Sequence, residues 1–127
     1  MQYIVESQKS IEEVAKRLEE NIETVGFGIL HMHNLSETMR KKGVELGEDC
    51  RIYEICNPKL ALEVLNEDMS MNMVLPCRIS VYSDKGTTKI GMINPSTLLH
   101  ESTHEEELKT IASMVEERAQ KIINLSS

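Results

Sequence analysis

A chain of 127 residues is long enough for one folded domain, and 40% hydrophobic with 28% charged residues is the balance of an ordinary globular protein. The net charge of −7 and an aromatic content of only 3% argue against nucleic acid as a partner, because phosphates need a basic surface and bases need exposed rings. The sequence shows neither a secretory signal nor an apolar run long enough for a membrane span. We therefore expect a cytoplasmic protein without membrane partners, whose three cysteines are free thiols.

The first half of the chain carries the signals of two strands and two helices. Ser10 and Glu13 form the pattern of a capping box, and apolar residues follow them at helical spacing. Gly26 comes directly after the last of these residues, as expected past a helix C-terminus, and Gly28 suggests a bulge or a close backbone approach in the next strand. In order, the pattern predicts a strand, a long helix, a strand and a short polar helix at residues 3–6, 10–25, 27–32 and 36–42.

The second half of the chain predicts a hairpin flanked by helices. Asn57 is suited to cap a helix that has Pro58 at its first position. Residues 83–86 are turn formers between two β-type runs, which indicates a hairpin. Three glutamates at 105–107 suit the dipole at the start of a long final helix. The predicted strands cover residues 51–56, 74–82 and 87–93, and the final helix covers residues 105–123.

Strands and helices do not alternate strictly along this chain. We therefore predict a single α+β domain over residues 1–127, with a largely antiparallel sheet and the two long helices packed on one face of it. The chain contains neither a G-x-G-x-x-G fingerprint nor a P-loop, which argues against a doubly wound nucleotide-binding fold.

Two cysteines adjoin prolines at predicted strand ends. Cys77 alternates with Ile79 and Val81, which places it on the apolar face of its strand, where cysteine acts as a small buried hydrophobe. Cys56 shares a strand face with Glu54 and precedes a predicted helix N-terminus. Such a terminus lowers the pKa of a thiol and favours the thiolate, so Cys56 is a candidate reactive group as well as a candidate structural one.

Two further patterns raise the question of metal binding. His31 and His33 lie on one face of their predicted strand, but no third ligand lies nearby in sequence, and we predict no zinc site and no cofactor. Met69, Met71 and Met73 alternate strictly, and their thioethers would suit Cu(I). The other explanation of these methionines is that they fill space in an aromatic-poor core.

Four short motifs stand out in the second half of the chain: Cys56-Asn57-Pro58, Leu75-Pro76-Cys77-Arg78-Ile79, Val81-Tyr82, and Pro95 followed by Leu98. In these motifs the sequence resembles a small prokaryotic family called domain of unknown function 302. The resemblance covers nearly the whole chain and includes the long closing helix. It implies a compact domain arranged like the TATA-binding protein, with the order strand, helix, antiparallel strands, helix. It also implies a tendency to form homodimers, and it implies no established reaction.

These observations favour a non-enzymatic module that binds a small ligand or a protein in a groove near Cys56 and Asn57. One alternative is a thiol-based redox or sulfur-handling enzyme that uses Cys56, so whether the protein is an enzyme stays open at this point. The other alternative is a soft-metal binder that uses the methionines and cysteines. The candidate ligand-binding residues are Cys56, Asn57, Pro58, Cys77 and His33.

Overall fold

The structure, a computed structural model, describes residues 2–100 and 106–127. Its strands form one sheet in the order β1-β5-β4-β3-β2, and every neighbouring pair is antiparallel. The predicted α+β class and antiparallel sheet are thereby confirmed. The strands are β1 (Gln2–Ser7), β2 (Gly28–Asn34), β3 (Cys50–Cys56), β4 (Cys77–Asp84) and β5 (Thr87–Ile93).

Helices precede, interrupt and follow the strands. The order of β1, α1, four strands and α5 is the one that the family resemblance implies. The last helix was expected to begin at Glu105, which lies outside the described residues. The helices are α1 (Ile11–Thr24), α2 (Leu35–Lys41), α3 (Pro58–Glu67), α4 (Pro95–His100) and α5 (Glu106–Ser126), with a short 3-10 helix at Met69–Met73.

The ends of α1 follow the predicted chemistry. The Ser10 side chain accepts a hydrogen bond from the Glu13 backbone N–H at 3.2 Å, which satisfies one of the free donors of the first turn. After the C-cap Val25, Gly26 takes a φ of +95°, a conformation that costs glycine little. The backbone N–H of Phe27 then bonds back to the Ile22 carbonyl at 2.9 Å and directs the chain into β2.

One face of the sheet carries the core. Tyr53, Ile55, Ile79, Val81 and Ile90 are all fully buried, and the strand register places them on the same side. The apolar stripes of α1 and α5 pack against each other and against this face, and they join it in a single hydrophobic cluster. The prediction that both long helices pack on one sheet face is confirmed.

The opposite sheet face is not covered in this way, and we call it the open face. Of its described residues only Gly91 is buried, because the Ile4 side chain lies so close that a Cβ on Gly91 would be 2.9 Å from it. Ile4 itself is 45% exposed and Ile93 is 43% exposed. The residues that define the open face are Ile4, Ile52, Glu54, Arg78, Ser80, Tyr82, Lys89, Gly91 and Ile93.

The structure differs from the predicted elements in three places. A strand was expected to begin at residue 74, but β4 begins at Cys77, because a 3-10 helix ends at Met73 and Pro76 lacks the N–H donor that a strand needs. Helix α4 was not predicted. The predicted bulge is present in β2, but it lies between Ile29 and His31, and the Cys56 carbonyl oxygen would be at an ordinary 3.8 Å from a Cβ on Gly28.

Within the described residues, each helix is either too short or too polar to cross a lipid bilayer.

Candidate functional site

The two cysteine-proline segments meet at one end of the sheet. Strands β3 and β4 are antiparallel, with Ile55 opposite Cys77, so the end of β3 lies beside the start of β4. Cys56 and Cys77 are therefore neighbours across the two strands, although they are far apart in sequence. Alternation places Cys77 toward the core, where it packs against the hydrophobic cluster.

This end of the sheet contains a cleft of about 450 Å³. A volume of this size is within the range of small-molecule sites, which are mostly apolar and contain few polar groups. Its walls come from the ends of β3, β4 and β5, from α3, α4 and α5, and from the segment that includes the 3-10 helix. Apolar side chains dominate the walls, among them Phe27, Ile55, Leu60, Val64, Ile79 and Val115.

The structure brings three of the five candidate residues into the cleft wall. Cys56, Asn57 and Cys77 line it. Pro58 is not among the described lining residues and serves as the first residue of α3. His33 lies outside the cleft wall as well, but it bonds to a residue of the rim.

Asn57 has both ends of its side chain engaged by the protein. Its Oδ1 accepts a hydrogen bond from the Leu60 backbone N–H at 3.1 Å, which makes it the N-cap of α3 as predicted. Its Nδ2 donates to the Gly26 carbonyl oxygen, also at 3.1 Å. Asn57 therefore shapes the cleft by joining α3 to the loop between α1 and β2.

Both thiols of the cleft are held in the neutral form. Burial, with a smaller contribution from the nearby Cys56, raises the pKa of Cys77 to about 11. Burial also raises the pKa of Cys56 above its usual value. The expectation that the start of α3 lowers the pKa of Cys56 was wrong, because desolvation by burial disfavours the thiolate and raises the pKa instead.

A small charged network forms the rim of the cleft where it meets the open face. Glu54 and Arg78 lie opposite each other on β3 and β4, and both line the cleft. The two oxygens of Glu54 have different partners: Oε1 is 3.1 Å from Nε2 of His33, and Oε2 is 3.7 Å from a terminal nitrogen of Arg78. The Glu54 side chain is 19% exposed, whereas that of Arg78 is 66% exposed.

The structure shows how the paired histidines and the alternating methionines are arranged. The rings of His31 and His33 meet edge to face with centroids 4.4 Å apart. The structure assembles no cluster of three or more His, Cys, Asp or Glu ligands among the residues it describes. Met71 is buried in the core at 2% exposure, while Met69 and Met73 are 65% and 78% exposed. These residues form a 3-10 helix, so their side chains do not share one face as they would in a strand.

Sequence reasoning missed two contributors to the cleft. Arg78 and Glu54 were not singled out, because only the strand register reveals that they face each other. Helix α4, which contributes Pro95 and Leu98 to the wall, was also missed. Its signal was present in Asn94-Pro95, the same pair of residue types that begins α3.

Comparisons with known proteins agree with this geometry. The family model described as Domain of unknown function DUF302 matches residues 3–125. A crystal structure of an uncharacterized conserved protein DUF302 from Bacillus stearothermophilus is similar with a TM-score of 0.93 at 35% sequence identity, and the match covers 99% of this chain and 98% of that chain. A comparison with curated proteins found no match. The chain therefore belongs to the DUF302 family.

Proposed function

We propose that this protein is a binding module whose cleft takes up a small, largely apolar molecule. The observation that carries the proposal is the 450 Å³ cleft itself, whose walls are apolar and whose Asn57 is already engaged. A ligand there would be held by burial of apolar surface, at about 25 cal/mol per Å² removed from water. A cytoplasmic location is part of the proposal and is supported by the three free cysteines.

A thiol-based enzyme is the second candidate. Cys56 and Cys77 share the cleft, which favours this function. The raised pKa of both thiols counts against it, because the thiolate is the nucleophile and burial suppresses it. Copper binding by the methionines and cysteines receives less support. Met73 lines the cleft with both thiols, but Met71 is buried in the core, and burial disfavours the thiolate that binds a soft metal.

We also propose that the protein forms a homodimer through the open face. The open face supplies Ile4, which is exposed, and Ile52, which is partly exposed, as apolar groups for this contact. A second copy related by two-fold symmetry would present the same apolar groups in return.

Binding of an apolar dye tests the cleft. Phenylnaphthylamine, whose fluorescence rises in apolar surroundings, should bind the wild-type protein. Ala61 lines the cleft from α3, so Ala61→Phe should fill part of it and weaken binding by about tenfold, which corresponds to about 1.4 kcal/mol.

Leu62 gives the matched control for this experiment. It is the next residue of the same helix, is 59% exposed and is not among the described lining residues. Leu62→Phe should leave dye affinity within about twofold of wild type, well inside the 1.4 kcal/mol that a tenfold change represents. Equal affinity of the wild type and Ala61→Phe would show that the dye does not use the cleft, and the proposal would then be abandoned.

A further inference from the structure

The polar groups around the cleft differ in how much bonding capacity they have left. Asn57 uses its oxygen for α3 and its nitrogen for Gly26. Glu54 has one hydrogen bond, between Oε1 and Nε2 of His33 at 3.1 Å, and an ion-pair contact of 3.7 Å between Oε2 and Arg78. Arg78 differs, because a guanidinium has five N–H donors and its contact with Glu54 is longer than a hydrogen bond. Among the charged side chains of the rim, Arg78 therefore keeps the most donors for a ligand.

Arg78 is also well placed to meet a ligand. It follows Cys77 at the start of β4 and lines the cleft, yet its side chain is 66% exposed. Among the described lining residues it is the sole cation. His33 and Arg78 flank Glu54, so the carboxylate is held between them and keeps the guanidinium at the rim.

We infer that the ligand is an apolar molecule with a single carboxylate, whose apolar body occupies the cleft and whose carboxylate binds Arg78. This inference rests on the proposed function of the cleft. The planar fork of arginine matches the two oxygens of a carboxylate in a bidentate pair. A phosphate monoester carries nearly two negative charges at neutral pH, whereas a carboxylate carries one. A single arginine beside Glu54, in a chain of net charge −7, is better matched to the one charge of a carboxylate.

Three probes with the same alkyl chain test the inference: decanoate, decanol and decylamine, which have an anionic, a neutral and a cationic head group. Each is titrated below its micellar concentration against the protein loaded with phenylnaphthylamine, and displacement of the dye gives its affinity. Decanoate should bind about tenfold more tightly than decanol, the ratio expected for one partly exposed charge-assisted pair. It should also bind more tightly than decylamine, although the net charge of −7 attracts cations.

The variant Arg78→Gln tests whether Arg78 is the residue that binds the carboxylate. It should lower the affinity for decanoate by about tenfold and so remove the advantage of decanoate over decanol. Arg40→Gln is the control, because the Arg40 side chain is similarly exposed, at 62%, and is not among the described lining residues. It changes the net charge by the same amount and leaves the rim of the cleft intact.

The outcomes separate the two proposals. If decanoate and decanol bind equally, or if both variants weaken decanoate equally, the carboxylate inference is wrong while the apolar cleft stands. If the dye fails to bind, or binds Ala61→Phe unchanged, the proposed function fails and the inference fails with it. Selective loss of decanoate binding in Arg78→Gln supports both.

Discussion

Cys56 and Cys77 show how position within a strand decides the chemistry of a side chain. Both adjoin the same cleft, and neither forms a disulfide. Cys77 faces the core, and burial raises its pKa to about 11, so at pH 7 only about one molecule in ten thousand carries the thiolate there. Cys56 ends β3, and its pKa is raised to a smaller extent.

We expect Cys56 to react with iodoacetamide faster than Cys77 in the folded protein. The reacting species is the thiolate, so both should react more slowly than a free thiol at neutral pH. Labelling should accelerate as the pH rises, and the acceleration at Cys77 should continue to about pH 11, where half of its thiol is ionised. Mass spectrometry of peptides from protein labelled at several pH values measures both rates.

Labelling in denaturant provides the control, because both thiols should then react at similar rates. Faster labelling of Cys77 than of Cys56 in the folded protein would contradict the assignment of faces. An inert Cys56 would remove the thiol-enzyme alternative and leave both residues as packing groups.

Short polar side chains at helix ends determine how the elements join around the cleft. Ser10 caps α1 through one hydrogen bond to Glu13. Asn57 caps α3 in the same way and also bonds to the Gly26 carbonyl, which links α3 to the loop after α1. The second bond makes Asn57 a connection between elements as well as a cap.

We expect Asn57→Ala to destabilise the protein more than Ser10→Ala. Loss of a cap costs about 1 kcal/mol, and loss of the additional hydrogen bond adds about 0.5–1 kcal/mol. Asn57→Ser keeps a capping oxygen for Leu60 but lacks the donor for Gly26, so its cost should be the smaller second part alone. Urea unfolding of the three variants measures these differences. Equal costs for the two alanine variants would show that the bond to Gly26 contributes nothing.

The elements that could be predicted from sequence are those whose signals are local. The capping residues Ser10 and Asn57, the turn at 83–86 and the apolar periodicity of α1 and α5 all act within a few residues. Residues 74–76 were assigned to a strand because valine and leucine favour strands, but a neighbouring 3-10 helix and Pro76, which lacks an N–H donor, prevent it. The alternation of Met69, Met71 and Met73 in the sequence likewise does not predict that these residues form a 3-10 helix with only Met71 buried.

The cleft could be predicted only in part. The two cysteine-proline segments marked its position, because antiparallel pairing of β3 and β4 brings their ends together. Its shape depends on α4 and α5, which are distant in sequence, and its charged rim depends on the register between Glu54 and Arg78. No local pattern contains that register, so the bonding of His33 to Glu54 could not be foreseen either.

At the scale of the whole molecule, the two long helices pack on one face of the sheet, and the cleft wall includes residues of the other face. Arg78 and Ile93 belong both to the cleft wall and to the open face. Ile4 and Ile52 occupy positions further along the strands, in register with Gly91 and Ser80. A partner centred on Ile4 and Ile52 would therefore leave Arg78 at the border of the contact, where it stays available to a ligand.

We expect the protein to be a homodimer in solution, with light scattering at micromolar concentration giving about twice the chain mass of 14.4 kDa. Ile4→Glu would bury an unpaired carboxylate in the apolar contact of the open face, so it should shift the mass toward that of one chain. Leu62→Glu is the control, since Leu62 is more exposed than Ile4, at 59% against 45%, but lies on α3. It should leave the dimer intact. A wild-type mass near 14.4 kDa would rule out the dimer. If Leu62→Glu dissociated the dimer and Ile4→Glu did not, the two copies would meet through their helices and not through the open face.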